Sequence, residues 1–457
     1  MYKGKIIGYS AILVACFSLL YLYFPIQSPV KQAIDNLFTN FSKYWYNIFG
    51  FAGLVLLFGL VLYFGITFFG LLEPLPRINA DYFPKISIII ASKNEAPLLR
   101  QTLDSLVASD YPTDNLQVII VTSGSTDGSE VFCQNFATEH PNIDWLVISE
   151  DIPKKGKPPA LNVGLQYVKY DYLVLFDSGN ILMPDTIKNL IAPMKNEKVH
   201  ATMGSIKVKN WKKNALTKAI LVDYSLVSGG NTFFEAKSKM GTNCYIYGRN
   251  FCVRMDFLRE IGGFDEDSLI EDMYLAAMLN IHHKKIMFVP SAKIYEPVPS
   301  DWNILKRQRM RWVGGFTGDL PRIMQFKEGN KEIGKSVGIS RFISMILMGN
   351  VTIWALIDII ALIIQVLIQE YYMLTWTVIV LIFHVGILLH SIQKYGDKHY
   401  TCLFYYPLVL RLHFFMSSLA GKLPKNISWE QTPQLLSMSK EELEELASPE
   451  EIAVAGK

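Results

Sequence analysis

The chain has 457 residues, 50% of them hydrophobic and 13% aromatic, a balance that excludes an ordinary soluble enzyme. A formal net charge of +3, with no long basic run, gives no reason for a nucleic-acid partner. The five cysteines, Cys16, Cys133, Cys244, Cys252 and Cys402, are scattered and lack CxxC spacing, which argues against a disulfide framework or a zinc site.

In chain order, Ile6 to Phe24 carries no charge and is long enough to cross a hydrocarbon core of about 30 Å as a helix. It ends in Tyr23-Phe24-Pro25 rather than in small residues, which favours a retained anchor over a signal peptide. A second uncharged run, Ile48 to Leu72, follows Tyr44-Trp45-Tyr46, placed as an interfacial belt would be. Residues 1–76 are therefore expected to form a transmembrane hairpin.

From 77 to 335 the apolar runs shorten to strand length and Gly, Pro and charged residues return, as in a globular domain. Hydrophobicity resumes over Phe342 to Ile368, Tyr372 to Leu389 and Leu403 to Leu419, so 336–421 read as transmembrane or interfacial helices, with Arg411 and His413 favouring the interface for the last. Residues 422–457 read as an acidic cytoplasmic tail, opened by a capping box between Ser439 and Glu442. Lys3, Lys5, Arg77, Lys327, Lys331, Lys335 and Arg341 flank the spans on the globular domain's side, which the positive-inside bias puts in the cytoplasm. Asp358 lies within the third apolar run, where a charge is expected either to face a polar cavity or a partner or, if the run exceeds the bilayer, to sit near one surface.

Inside the globular segment, strand and helix patterns alternate. Lys85 to Ala91, Gln117 to Thr122, Asp144 to Ser149 and Tyr172 to Phe176 read as strands, separated by helices over Pro97 to Ala108, Gly128 to His140 and Pro158 to Tyr170. Continuous β-branched strands imply a parallel sheet covered on both faces, with ligands bound beyond the carboxyl ends. Those ends are Ser92-Lys93-Asn94-Glu95, Thr122 to Gly128 and Asp177-Ser178-Gly179-Asn180. Each taken singly is also what any strand-to-helix turn needs, and Asp127 reads equally as a helix cap.

Their combination resembles the family 2 glycosyltransferases of GT-A fold, in particular the membrane-embedded processive synthases of cellulose, hyaluronan and poly-N-acetylglucosamine. The resemblance runs through the Asn94-Glu95 turn, GSTDG at 124–128, GKPPALNVGL at 156–165, FDSGNILMPD at 176–185, GGFDEDSLIED at 262–272 and QRMRW at 308–312. It implies an α/β GT-A domain (Rossmann-like, mainly parallel sheet) on the cytoplasmic side, inserted between N- and C-terminal transmembrane helices of a multi-pass cell-membrane protein. It also implies inverting transfer of a sugar from a nucleoside diphosphate donor, a UDP-sugar first, to a growing polysaccharide, with secretion as a further step. A single transfer to a lipid-linked acceptor and a non-catalytic scaffold subunit are the other two readings.

The resemblance assigns the catalytic base to Asp272, beside Glu271, and the pattern Met273 to Leu279 sets both carboxylates at a helix start, where negative charge is favoured and Asp272 is expected to be held ionised. Gln308, Arg311 and Trp312 match its Q-x-x-R-W pattern: the arginine fork can hold the leaving diphosphate and the indole can stack on the acceptor sugar. The same segment, with Lys306, Arg307 and Arg309, also reads as a basic amphipathic helix on lipid headgroups. Ser92, Glu95, Ser123, Lys157, Asp177 and Ser178 complete the expected nucleotide-sugar contacts, with Asp177 also the expected ligand of a magnesium or manganese ion.

Two departures stand beside these matches. Thr122-Ser123 replaces the family's Asp-Asp before GST, leaving the Ser123 hydroxyl as the acceptor for a base imide. Gly179 replaces the second aspartate of Asp-x-Asp, removing one oxygen ligand of the cation. In the tail, Trp429 and Thr432 loosely match a Trp-x-x-Thr element of related enzymes, with Gln434 where a basic residue usually follows.

Overall fold

Uncharged apolar sequence produces helix at the N-terminal end: Ile6–Ala15 (α1) and Ile48–Leu72 (α2), the second 25 residues long and about 37 Å from end to end. The structure, a computed structural model, describes residues 6–15, 48–75, 81–122, 124–149, 156–328, 331–367, 369 and 371–419. The rest of the first expected span, Ser123, and the tail with Ser439, Glu442, Trp429 and Thr432 lie outside the described residues.

The β-branched run ISIIIA forms Ile86–Ala91 (β1), and Ile86, Ile88, Ile89 and Ile90 are each fully buried. Burial of that kind contributes roughly 1.5–3 kcal/mol per side chain. Ala96–Val107 (α3), Leu116–Val121 (β2), Ser129–Glu139 (α4), Asp144–Ile148 (β3), Lys157–Leu165 (α5) and Tyr172–Asp177 (β4) follow. β1 pairs in parallel with β2 and β4, and β2 with β3, giving the doubly covered parallel half expected from the sequence.

Beyond β4 the chain changes direction. Ile181–Leu182 (β5), Thr186–Ile191 (α6), Val199–Val208 (β6), Ala215–Asp223 (α7), Thr232–Lys239 (α8), Phe251–Arg254 (β7), Met255–Glu260 (α9), Glu271–Ile281 (α10) and Lys285–Glu296 (β8) complete a sheet of order β3-β2-β1-β4-β7-β6-β8-β5. β7 is antiparallel to both β4 and β6, and β5 to β8, whereas β6 and β8 are parallel. The result is a mixed sheet of GT-A type, whose switch of strand direction beside β4 leaves a crevice at the carboxyl end of that strand.

The C-terminal third is helical: Trp302–Met324 (α11), Ile333–Gly349 (α12), Val351–Leu367 (α13), Tyr371–Lys394 (α14) and Tyr406–Leu419 (α15). Among the described residues, Met373–Lys394 and Tyr400–Leu419 are long and apolar enough to cross a membrane. The apolar run 342–368 is not one helix as its composition suggests; α12 and α13 are bent by 62° at a break between them. Gly349 and Asn350 have low helix propensity, and the Asn350 side chain donates to Ile346 O (3.0 Å) while accepting from the Ser417 hydroxyl, so the ladder stops there.

Some polar residues of the last helices face one another or reach the globular part. Asp358 is buried on α13 and faces His384 on α14, its Oδ2 3.3 Å from Nδ1, with neither atom in a hydrogen bond. His413 and Arg411 of α15 both reach the globular part: His413 Nε2 donates to Asp223 (3.0 Å), and the Arg411 guanidinium lies 4.9 Å from the centre of the Trp302 ring.

A second tie joins α8 to the end of α14. Glu235, fully buried, accepts from Lys239 (2.9 Å), His390 Nε2 (2.9 Å), the Tyr395 hydroxyl (2.7 Å) and Lys394. Burial opposes its charge, but the bonds from His390, Lys394 and Lys239 outweigh that and hold the carboxyl well below the usual glutamate range.

Candidate active site

The carboxyl ends of β1 and β4 and the start of α10 converge. β4 ends in Asp177, and α5 begins with Lys157, whose Nζ bonds Asp177 and donates to Gly248 O (2.6 Å). Lys157 Nζ is also 3.8 Å from Glu271 Oε1. Burial works against the Lys157 ammonium, but Asp177 and Glu271 outweigh it and hold its pKa above the usual value.

Gly248 brings the groups together. A Cβ at this position would lie 3.2 Å from both Asp272 Oδ2 and Lys157 Nζ, so the backbone approaches the two functional atoms as closely as a glycine allows. The following turn is held by Asn250, a left-handed residue (φ 55°) whose amide donates to Ser205 O and Ala292 O, each at 3.0 Å. Between them Arg249 is clamped by Glu296 and lines the same cavity as Asp272. Gly248 and Arg249 were not found from the sequence; their one signal is the Gly-Arg-Asn turn before β7.

Glu271 and Asp272 occupy the first turn of α10, as the sequence predicts. Burial raises the Asp272 carboxyl above the ordinary value, while the Met273 N–H (2.7 Å) and Lys157 at the helix start favour its charge. Burial likewise pushes Glu271 up to about 7, with Lys157 opposing and the neighbouring Asp272 charge reinforcing. Desolvation beats the helix terminus here, and two carboxylates so close ionise as a pair.

The strand-end residues are distributed between binding and scaffolding. Ser178 donates to Glu95, which links the two strand ends. Ser92 is 6% exposed and Gln308 7% exposed; Ser92 Oγ and Gln308 Oε1 are buried without hydrogen-bond partners, as groups awaiting a ligand are. Asp127 instead accepts from the Ala96 N–H (2.9 Å) and the Ser129 N–H (3.1 Å), capping the starts of α3 and α4. Gly179, at the place of the second aspartate, has φ 87°, a left-handed backbone that glycine adopts freely.

On the opposite wall, α11 carries the Q-x-x-R-W segment. Burial lowers the Arg311 pKa, with Glu271, Asp272 and Asp177 pulling the other way. Trp312 lines a cavity of about 370 Å³ together with Asp272, Tyr247 and Arg249. Farther in, that cavity is walled by Phe316, Phe342, Met345, Met348 and Met416 from α11, α12 and α15. Arg309, read from the sequence among the headgroup-facing cations, is instead fully buried.

For a divalent cation the chain offers Asp177, partly exposed, as its clearest carboxylate; among the described residues no group of three or more His, Cys, Asp or Glu side chains could hold a metal. That set fits an ion carried chiefly by diphosphate oxygens and water, as magnesium commonly is.

The family model described as "Glycosyltransferase like family 2" matches residues 84–315, more than half of the chain. The chain is a family 2 glycosyltransferase. This glycosyltransferase is 30% identical over 245 residues to "Probable glycosyltransferase YdaM" of Bacillus subtilis (strain 168), a match covering 52% of this chain and 57% of that protein. It is 27% identical over 231 residues to a poly-beta-1,6-N-acetyl-D-glucosamine synthase of Staphylococcus epidermidis, covering 50% and 54% respectively. The chain thus spans little more than half the length of these relatives. Among solved structures, a mannosyltransferase from Pyrobaculum calidifontis in complex with GDP-Man and Mn2+ superposes with a TM-score of 0.55 at 20% identity, covering 81% of this chain and 96% of that one, a likeness of fold.

Proposed function

We propose that this glycosyltransferase inverts the anomeric centre of a sugar taken from a nucleoside diphosphate, a UDP-sugar first, and passes it to the hydroxyl of a growing polysaccharide. The observation that carries the reading is the juxtaposition of Asp272, Trp312 and Arg249 around one cavity, with Lys157 and Asp177 at the strand end beside it. Asp272, whose carboxyl burial keeps basic, takes the proton of the attacking hydroxyl, with Glu271 beside it as the second carboxyl of the pair. Arg311 and Lys157 hold the departing diphosphate, Gln308 and Ser92 bind the donor through their unsatisfied oxygens, and Trp312 presents a face to the acceptor sugar.

Asp177 would hold a magnesium or manganese ion together with the diphosphate, and the ion would neutralise charge on the leaving group. Replacing this ligand as Asp177→Asn is expected to raise the metal concentration needed for half-maximal nucleotide release by at least about tenfold. An unaltered metal dependence would remove Asp177 from that role.

The relatives named as poly-N-acetylglucosamine synthases support a polymer product. α2 and the helices after α11 support a multi-pass cell-membrane protein, and the basic residues beside them support a cytoplasmic catalytic domain over 77–335. The apolar lining contributed by Phe316, Phe342, Met345, Met348 and Met416 favours a second reading, one transfer to a lipid-linked acceptor whose hydrocarbon lies in the inner cavity.

The deciding experiment is nucleotide release by the full chain in nanodiscs across a panel of sugar nucleotides, with product analysis. A water-soluble polymer supports the synthase reading, whereas a product that partitions into organic solvent carrying one added sugar supports the lipid acceptor. If no donor turns over, the enzymatic reading fails.

A further inference from the structure

Arg309 occupies a variable position of the Q-x-x-R-W segment, yet it is 0% exposed. Its Nη2 donates to Asp223 Oδ2 and its Nη1 to Ser228 Oγ, each at 3.0 Å, and its guanidinium lies 4.0 Å from the centre of the Trp312 ring. A planar cation at that distance both attracts and orients an indole.

The partners are unusual in their backbone. Asp223 precedes and Ser228 ends Tyr224–Ser228, a single π-helical turn between α7 and α8. Such turns are rare, carry a local cost and concentrate at functional sites. Here the widened turn sets two side chains five residues apart onto one guanidinium. Asp223 is bound on its other oxygen by His413 Nε2 (3.0 Å), and His413 Nδ1 lies 2.8 Å from Thr352 Oγ1. His413 is on α15 and Thr352 in the first turn of α13, so an unbroken buried chain runs from the Trp312 ring to both helices. Ser228 and His413 also line the cavity that holds Asp272 and Trp312.

We propose that Arg309 is a positioning residue for Trp312, and that the chain Asp223–His413–Thr352 makes the placement of that indole depend on how α13 and α15 are seated against the catalytic domain. The proposal rests on the reading of Trp312 as the acceptor-side platform. A buried ion pair serving only as structural glue would influence donor and acceptor steps together. A positioning pair separates them, because a misplaced platform affects the acceptor while the diphosphate contacts made by Lys157 and Arg311 are left alone.

The test uses the full chain in nanodiscs with whichever donor the panel identifies. Arg309→Lys keeps the charge facing Asp223 but loses the planar stack and the forked bond. Its kcat/KM for acceptor is expected to fall by about 10²-fold, the scale of a 1 Å misplacement, with donor KM held. His413→Gln still donates to Asp223 but breaks the link to Thr352; it is expected to shift the acceptor parameter in the same direction, by less. In the double variant the two effects should be non-additive, since both act through Asp223.

Donor and acceptor parameters falling in parallel, or an unchanged acceptor parameter in either variant, would overturn the proposal while leaving the glycosyl-transfer reading intact. Should Arg309→Lys fail to fold, His413→Gln decides by the same split. A wild-type protein that turns over no donor overturns both.

Discussion

Asp272→Asn is expected to lower glycosyl transfer by about 10²–10⁴-fold, the range a positioned general base supplies, while donor binding persists. The amide preserves the bond from the Met273 N–H but cannot accept the acceptor's proton. The same site predicts the pH profile. Because burial raises both carboxyls, with Glu271 at about 7, the pair loses a proton near neutrality rather than near pH 4. Activity that needs the pair fully ionised should therefore rise as pH increases through that region and fall away below it. Glu271→Gln removes the carboxyl that titrates at about 7, so the rise through neutrality should be lost. A profile flat from pH 5 to 8 in the wild type, or one that keeps its rise through neutrality in Glu271→Gln, would contradict the assignment.

Glu235→Ala is expected to destabilise the protein by about 3–5 kcal/mol, the cost of leaving buried cationic partners without their counter-charge. Lys239 and Lys394 lose their acceptor together with His390 and Tyr395, and all four surround a carboxylate that is fully buried. The sign with pH follows from the depressed carboxyl: the stabilisation is complete above the unfolded value of about 4.3 and is lost as pH falls through the folded one. Thermal unfolding in detergent at pH 7 and at about pH 2 checks both points. The variant should melt well below the wild type at pH 7, and the gap should narrow at acid pH. Equal melting at pH 7 would show that the cluster contributes nothing.

The parallel half of the sheet was legible because β1, β2 and β4 are uninterrupted apolar strands whose burial follows from composition alone. Strand β8, with Pro290 and Ser291 inside it, breaks the pattern that made the others visible, and β6 and β7 find their partners only through tertiary pairing. The helix expected to reach Tyr170 stops at Leu165, where the Gln117 amide takes the Tyr167 carbonyl (3.0 Å), a contact across 50 residues. At the site, the helix-start position of Glu271 and Asp272 could be read from the sequence, whereas their burial depends on walls supplied by α11 and α12. Gly248 was hidden for a related reason: its importance lies in meeting Lys157, 91 residues earlier in the chain. The break at Gly349 and Asn350 did leave a signal, two poor helix formers side by side within an apolar run.

The Glu235 cluster also constrains the order in which the protein can be completed during synthesis. Glu235 leaves the ribosome 155 residues before His390, an interval of about 8–30 s at ordinary elongation rates. Through that interval α8 holds a carboxylate that has only Lys239 beside it, and its final environment is assembled when the end of α14 arrives. The catalytic unit therefore matures after the C-terminal helices have been made rather than before, and a chain terminated near residue 335 is expected to be recovered as an incompletely packed, protease-sensitive fragment.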